Sequence, residues 1–265
     1  MLLISYALNG RFGNNLFQYL ATKIVQHVLS KYDMIYTYTF NTIPSTSFII
    51  NEDNYKHLIE QPDEYLPKLS GKHIYLDGYF QYDFHIRKYS DYVSALLNSL
   101  NTENINHQYT VSTLARYIHG QTIEVDKEAL YIHVRLDDFI PEKACMKVGS
   151  YLKIVNTILS EHTFSNIIII VDKIRYKFEE DYLKCLHTYL TSKKLTVGFQ
   201  QGDMLTDFAK LVHAEYLLSS NSTFCYLAGL LGKHKKSWCP VNTRYSHQHI
   251  THFDDNTVPF DIEYI

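Results

Sequence analysis

His133-Val134-Arg135-Leu136-Asp137-Asp138 sets an imidazole, a guanidinium and two carboxylates at the end of a short apolar run. Alternation along a strand puts His133 and Arg135 on one side and Val134 on the other. An arginine at a strand tip can give two parallel hydrogen bonds to a phosphate, a geometry lysine cannot match. The competing reading is an Arg–Asp pair that braces the loop, worth about 0–1 kcal/mol at a surface. Ser219-Ser220-Asn221-Ser222-Thr223 lies between another apolar run and a helix expected from Phe224. Backbone N–H groups at such a helix start suit a pyrophosphate, while Ser222 or Thr223 could equally serve as a plain cap. Asn221-Ser222-Thr223 also fits a glycosylation acceptor, but the apolar first eight residues, without a basic leader and cut short by Asn9 and Gly10, are not expected to act as a secretory signal, which argues against it. Asp207 opens a helix carrying Phe208, Leu211 and Val212, where an acid ordinarily complements the helix dipole.

A second polar cradle is expected at Gly10-Arg11-Phe12-Gly13-Asn14-Asn15-Leu16-Phe17-Gln18. It follows an apolar strand over residues 2–7 and runs into a helix with Leu16, Phe17, Leu20, Ala21, Ile24, Val25, Val28 and Leu29 on one face. Two glycines allow close backbone approach, and the helix start favours an oxygen-rich or anionic ligand. No Gly-Lys-Ser/Thr follows, so this is not a nucleoside-triphosphate loop, and it is not a Gly-x-Gly-x-x-Gly turn.

Metal chemistry has weaker support. His247, His249 and His252, with Asp254 and Asp255 beyond, could ligate a cation but also read as a solvated tail. No Asp-x-Asp motif is present to hold a metal against a sugar diphosphate, so a metal-independent mechanism is expected. Cys145, Cys185, Cys225 and Cys239 share no Cys-x-x-Cys spacing and read as free thiols. Asp77, just before Gly78, is the one carboxylate offered as a general base.

The elements that must position these groups alternate. A strand is expected at 74–80 and helices at 90–100 and 111–118, with an irregular polar stretch over 38–72 broken by Pro44, Pro62 and Pro67. The second half is more regular. Strands are expected at 130–134, 167–171, 195–199, 216–219 and 237–239, and helices at 148–160, 178–191, 204–213 and 224–231. The β-branched run Ile167-Ile168-Ile169-Ile170-Val171 marks a central parallel strand covered on both faces. Such alternation gives a doubly wound α/β sheet that binds ligands beyond the carboxyl ends of its strands. Three of those ends are polar: Arg135 to Asp138, Asp172-Lys173, and Ser219 to Thr223. The expected division is into residues 1–120 and 121–265.

At 265 residues and net charge −3, the chain can bury one or two real cores and is no general nucleic-acid binder. Tyrosine is frequent, at 23 against one tryptophan, as an aromatic-rich carbohydrate site or a compositional bias would give. No apolar run is long enough to span a membrane, and a cytoplasmic location is expected.

Taken together, the motifs resemble the α-1,2-fucosyltransferase family, glycosyltransferase family 11, related to the protein O-fucosyltransferases. The resemblance is carried by Gly10 to Gln18 as Gly-x-x-Gly-Asn-x-x-Phe-Gln, and by Gly78-Tyr79-Phe80-Gln81. It continues in His133, Arg135 and Asp138 within His-x-Arg-Arg-x-Asp, and in Asp207 with Asn221 to Phe224. It implies a GT-B transferase of two Rossmann-like domains facing a central cleft. The second domain would take GDP-fucose as donor substrate, with no cofactor, and the first a glycan acceptor, giving inverting α-1,2 transfer. By the resemblance Arg135 would grip the β-phosphate and Ser222, Thr223 and Phe224 the pyrophosphate. His133 and Asp207 would lie by the nucleoside, with Asp138 and Asn221 in the same motifs, while Arg11 and Asn14 would face the transferred sugar. Two departures stand out: Leu136 replaces the second arginine, and Cys225-Tyr226 replaces a Trp-rich continuation. They leave open another nucleotide sugar, such as a xylose or rhamnose donor, or a protein that binds sugar nucleotide or glycan without turnover.

Overall fold

The computed structural model describes residues 2–30, 35–39, 47–69, 72–99, 101–120, 122–142 and 144–240. The histidine-rich segment from His247 to Asp255 lies outside the described residues, as does Pro44. The chain is α/β and divides into two compact units, Met1–Ala115 and Arg116–Ile265.

The first unit is built on a four-stranded parallel sheet. Its strands are β1 (Leu2–Tyr6), β2 (Ile35–Thr39), β3 (Ser47–Asn51) and β4 (His73–Asp77), in the order β2-β1-β4-β3. The register sets Ile4 beside Ile74 and Tyr6 beside Leu76, so β1 and β4 finish side by side. Helix α1 (Phe12–Leu29) follows β1 directly and buries far more than one stripe. Leu16, Phe17, Leu20, Ala21, Ile24, Val25 and Leu29 are buried as expected, whereas Val28 is only half-buried. Gln18, Thr22 and Lys23 are buried as well, which a one-faced amphipathic helix would not allow. Each has found a partner: Gln18 Nε2 donates to the Gly78 carbonyl at 3.0 Å, Thr22 Oγ1 to the Gln18 carbonyl at 2.8 Å, and Lys23 Nζ pairs with Glu103 at 2.6 Å.

The stretch expected to be irregular is ordered where it is described. It holds β3, then α2 (Glu52–Glu60), a 3₁₀ turn (Pro62–Glu64) and α3 (Leu66–Leu69). Strand β4 stops at Asp77 rather than running on to Phe80, because Gly78 and Phe80 take positive φ of 156° and 52°. Beyond it come α4 (Asp83–Lys88) and α5 (Ser90–Leu97), then α6 (Val111–Ala115), which gives way to a π turn (Arg116–Gly120) instead of continuing to 118.

The second unit is a five-stranded, wholly parallel sheet. Its strands are β5 (Leu130–Val134), β6 (Asn166–Val171), β7 (Thr196–Gln200), β8 (Tyr216–Leu218) and β9 (Lys236–Trp238), ordered β7-β6-β5-β8-β9. The connecting helices are α7 (Val148–Glu161), α8 (Lys177–Ser192), α9 (Met204–His213) and α10 (Thr223–Leu231). Every residue of β5 is buried, as a central strand covered on both faces requires. Leu130, Ile132 and Val134 pack with Ile167, Ile169 and Val171 against Tyr151, Ile154 and Ile158 of α7 and Leu183 and Leu186 of α8. At about 25 cal/mol per Å² of apolar surface removed from water, each such side chain contributes about 1.5–3 kcal/mol. Strand β7 is an edge with three of its residues exposed. The order places β6, β5 and β8 side by side, so the three polar strand ends are neighbours.

Candidate functional site

In the second unit the site is built around His133, on β5 and buried. Strand alternation turns its ring away from the Ile132–Val134 core face and toward the β8–α10 turn. There Nδ1 lies 2.7 Å from Ser220 Oγ, which also accepts the Ser222 N–H at 3.2 Å. The imidazole ring tilts over Phe224 at 5.6 Å, and Phe224 meets Phe208 of α9 edge-on at 5.2 Å. The His133 carbonyl accepts the Tyr151 hydroxyl at 2.9 Å. Burial, reinforced by the nearby Arg135 charge, pulls the His133 pKa down to about 3. The ring is therefore neutral at pH 7. With the Ser222 N–H already on Ser220 Oγ, the hydroxyl proton can go to Nδ1, an assignment that leaves the ring proton on Nε2.

Ser219, Ser220, Asn221 and Ser222 are all buried, while Thr223 and Phe224 are half-buried. Ser222 occupies the N-cap position of α10 with an extended backbone, but its side chain makes no capping hydrogen bond. The hydroxyl that serves the turn belongs to Ser220 instead. Asn221 Nδ2 donates to the Ala144 carbonyl at 2.8 Å, and its buried Oδ1 has no hydrogen-bond partner among the described residues. An acceptor left without a donor at the start of a helix costs about 1–3 kcal/mol.

Arg135 follows β5 and is not an open strand-tip donor. Its Nε and Nη2 donate to Asp138 Oδ1 at 3.1 and 2.8 Å, its Nη1 donates to Asp172 Oδ2, and its guanidinium lies 5.5 Å over the Phe139 ring. The loop-bracing pair expected as the competing reading is thus present, and it includes a carboxylate from the end of β6. Leu136 is buried in the core, so the position that departs from the motif serves packing. Asp137 then takes a positive φ of 36°. Its N–H reaches Glu179 Oε1 at 3.2 Å and its carboxylate receives Arg175 Nη1 at 2.8 Å. Glu179 is buried; its Oε2 accepts the Arg175 and Tyr176 N–H groups at 2.5 and 3.0 Å, stapling the β5 end to the start of α8. Sequence reading missed Glu179, because one acid in a first turn looks like any dipole-complementing acid.

Asp207 has a task more specific than the helix dipole. Its Oδ1 accepts Gln200 Nε2 at 2.5 Å and its Oδ2 the Gly202 N–H at 3.0 Å, tying α9 to the end of β7. A Cβ at Gly202 would sit 2.7 Å from Asp207 Oδ1, so the carboxylate fills the space a side chain would need. Burial raises the Asp207 pKa, with these two hydrogen bonds acting in opposition. The N-cap of α9 is Asp203, which accepts from Leu205 and Thr206 N–H at 3.1 and 3.0 Å.

In the first unit the two glycine-containing motifs meet at the ends of β1 and β4. Gln18 Nε2 donates to the Gly78 carbonyl at 3.0 Å, and Gln81 Nε2 donates to Asn14 Oδ1 at 3.1 Å. Asn15 Nδ2 reaches back to the Asn9 carbonyl at 3.1 Å. Gly10 has φ +80°, which favours glycine, and a Cβ there would lie 2.2 Å from Asn14 Nδ2, so the Asn14 amide would have to move from its place beside Gln81. The Gly78 turn is held from α2: Glu52 Oε1 accepts the Tyr79 and Phe80 N–H groups at 2.8 and 3.1 Å. No sequence signal pointed to Glu52, which opens a helix in the stretch expected to be irregular. Arg11 is exposed at the N-cap of α1, and Asp77 ends β4 at an exposed position opposite Asn51.

Among the described residues no group of three or more His, Cys, Asp or Glu could hold a metal ion. No described helix is long and apolar enough to cross a membrane. No family model matches the chain, and no curated protein matches its sequence.

Proposed function

We propose that the chain is a glycosyltransferase that moves L-fucose from GDP-fucose to a glycan hydroxyl, with inversion and without a metal, in a GT-B arrangement. The observation that carries this reading is the pairing of four motifs far apart in sequence. Gly10 to Gln18 joins Gly78 to Gln81 through two side-chain amides, and His133 joins Ser220 and Phe224. Each pair lies at the carboxyl ends of adjacent parallel strands, where doubly wound sheets take their ligands.

In this reading the second unit holds the donor and the first the acceptor side. Cleavage of the sugar–diphosphate bond passes through an oxocarbenium-like state and leaves growing negative charge on the departing phosphate. The N-terminus of α10 would supply preorganised positive charge for it, joined by Arg135 where the phosphate takes the place of one of its two carboxylate partners. The half-buried Phe224, backed by the buried neutral His133, would offer a flat surface for the nucleoside, and Asn221 Oδ1 an acceptor for a ligand hydroxyl or N–H. Arg11 and Asn14 stand for the sugar side.

A second reading, binding without turnover, is favoured by Leu136 in the core and by the two carboxylates already on Arg135. One experiment separates the readings. The purified chain is assayed with GDP- and UDP-sugars for nucleotide release, with product analysis and with and without EDTA. Fucosyl transfer from GDP-fucose insensitive to EDTA supports the proposal; transfer from another donor corrects the sugar; thermal stabilisation by GDP without any transfer selects the binding protein.

A further inference from the structure

We infer that the open edge of β7 is a two-fold interface, at which a second copy of this chain continues the five-stranded sheet. Along a strand in a parallel ladder, successive residues turn their N–H and C=O groups to opposite sides. The Thr196 N–H donates to the Ser165 carbonyl at 3.0 Å, and the register runs on to Ile170 beside Gln200, so Thr196, Gly198 and Gln200 serve β6. Val197 and Phe199 therefore turn their backbone groups outward, where no other described strand pairs with them. Such an edge is a template for another strand unless shortness, charge or proline blunts it. The far edge of the same sheet is blunted: β9 is three residues long and opens with Lys236. Strand β7 is five residues long, Thr196-Val197-Gly198-Phe199-Gln200, with neither charge nor proline, and leaves Phe199 44 % exposed.

The occupant is a second copy because the strand is complementary to itself. Antiparallel pairing about Gly198 sets Val197 of each copy opposite Phe199 of the other. Both residues with outward groups are then matched, and each such pair exchanges its two N–H···O bonds. Val197 and Phe199 share one face of the strand, so a β-branched side chain meets an aromatic one across the interface, a favourable cross-strand pair. Gly198 faces its own counterpart at a non-hydrogen-bonded position, where a Cβ would meet nothing of its own chain within 4 Å. Beyond the strand ends, the same register carries exposed Lys193 and Lys194 of one copy to the level of Asp203 and Gly202 of the other, bringing opposite charges together at both ends. A register moved by two residues either way pairs Val197 or Phe199 with itself and leaves the other opposite a residue outside β7. A self-complementary contact of this kind closes at the dimer.

The test uses the full chain, with sedimentation equilibrium and hydrogen exchange over a concentration series. The wild type is expected to reach twice the chain mass, with the Val197 and Phe199 amides protected only at concentrations where it is dimeric. Phe199→Lys places a charge on the edge and is expected to weaken association on the order of tenfold or more, with circular dichroism unchanged. The register is read by cysteines in a Cys185→Ser background, which removes the exposed native thiol. Gly198→Cys is expected to give a disulfide-linked dimer on mild oxidation, since paired Cα atoms about 4.5 Å apart fall within disulfide reach. Thr196→Cys, which lies opposite Gln200 of the other copy, is expected not to. A wild type that is monomeric at every concentration overturns the interface. So does edge protection in a monomer, which would show that something other than a second copy covers β7. A dimer that Phe199→Lys leaves intact, or that Thr196→Cys links as readily as Gly198→Cys, lies elsewhere and overturns it too. Should Phe199→Lys fold poorly, the two cysteine variants decide.

Discussion

Acid should unfold the first unit early, and His85 should be a principal cause. This residue of α4 is wholly buried among Tyr55, Tyr82 and Phe84, with its ring centroid 5.2 Å from that of Tyr55. Neither Nδ1 nor Nε2 has a hydrogen-bond partner among the described residues, and burial pulls its pKa from 6.5 to about 3. Because the folded pKa lies below the unfolded one, the unfolded chain binds the extra proton first as pH falls. The stability that His85 leaves intact above pH 6.5 is then lost progressively toward pH 3. At 1.36 kcal/mol per pH unit, His85 should cost about 2 kcal/mol by about pH 5. That is a sizeable share of a typical domain stability of about 5–15 kcal/mol. The assay is urea unfolding of the wild type and His85→Leu at about pH 7 and about pH 5, with the transition of each unit followed separately. The variant should lose about 2 kcal/mol less than the wild type between the two conditions. An identical loss in both proteins would show that His85 is not buried uncharged and would refute the reasoning.

Other expectations follow from the site. Ser220→Ala removes the partner of both His133 Nδ1 and the Ser222 N–H, and should cost about 1–3 kcal/mol in chemical denaturation while also weakening GDP binding. Gly10→Ala should destabilise the first unit by about 1–3 kcal/mol, read as a lowered Tm, because the position combines a positive φ with a Cβ that would displace the Asn14 amide. Glu52→Gln keeps one acceptor for the Tyr79 and Phe80 N–H groups and should be milder than Glu52→Ala, with hydrogen exchange at those two amides reporting the difference.

The second unit was the more legible in sequence. Ile167 to Val171 reads as a central strand from its β-branched run alone, and the strand–helix alternation then fixes a parallel sheet with neighbouring polar ends. Proline does not mark disorder over Ser47 to Leu69, which holds a strand and helices. Pro62 opens a 3₁₀ turn and Pro67 sits in the first turn of α3, positions where a missing N–H costs nothing. The apolar face of α2, Tyr55 with Leu58 and Ile59, was too short to stand out between charged neighbours. Inside α1, no local pattern says that Lys23 will be buried, since its partner Glu103 arrives from a distant loop. The same limit applies at the site. An arginine at a strand end announces an anion partner, but only the sheet order brings Asp172 to it and Ser220 to His133. Motif residues are local information; the groups that restrain them are not.

Transfer from GDP-fucose by Arg135→Ala, set against the wild type under single-turnover conditions, tests the central claim most directly. The account predicts a rate lower by about 10²–10³, the effect of losing one preorganised donor to the leaving phosphate, with the protein still folded. Near-normal transfer by that variant would contradict it.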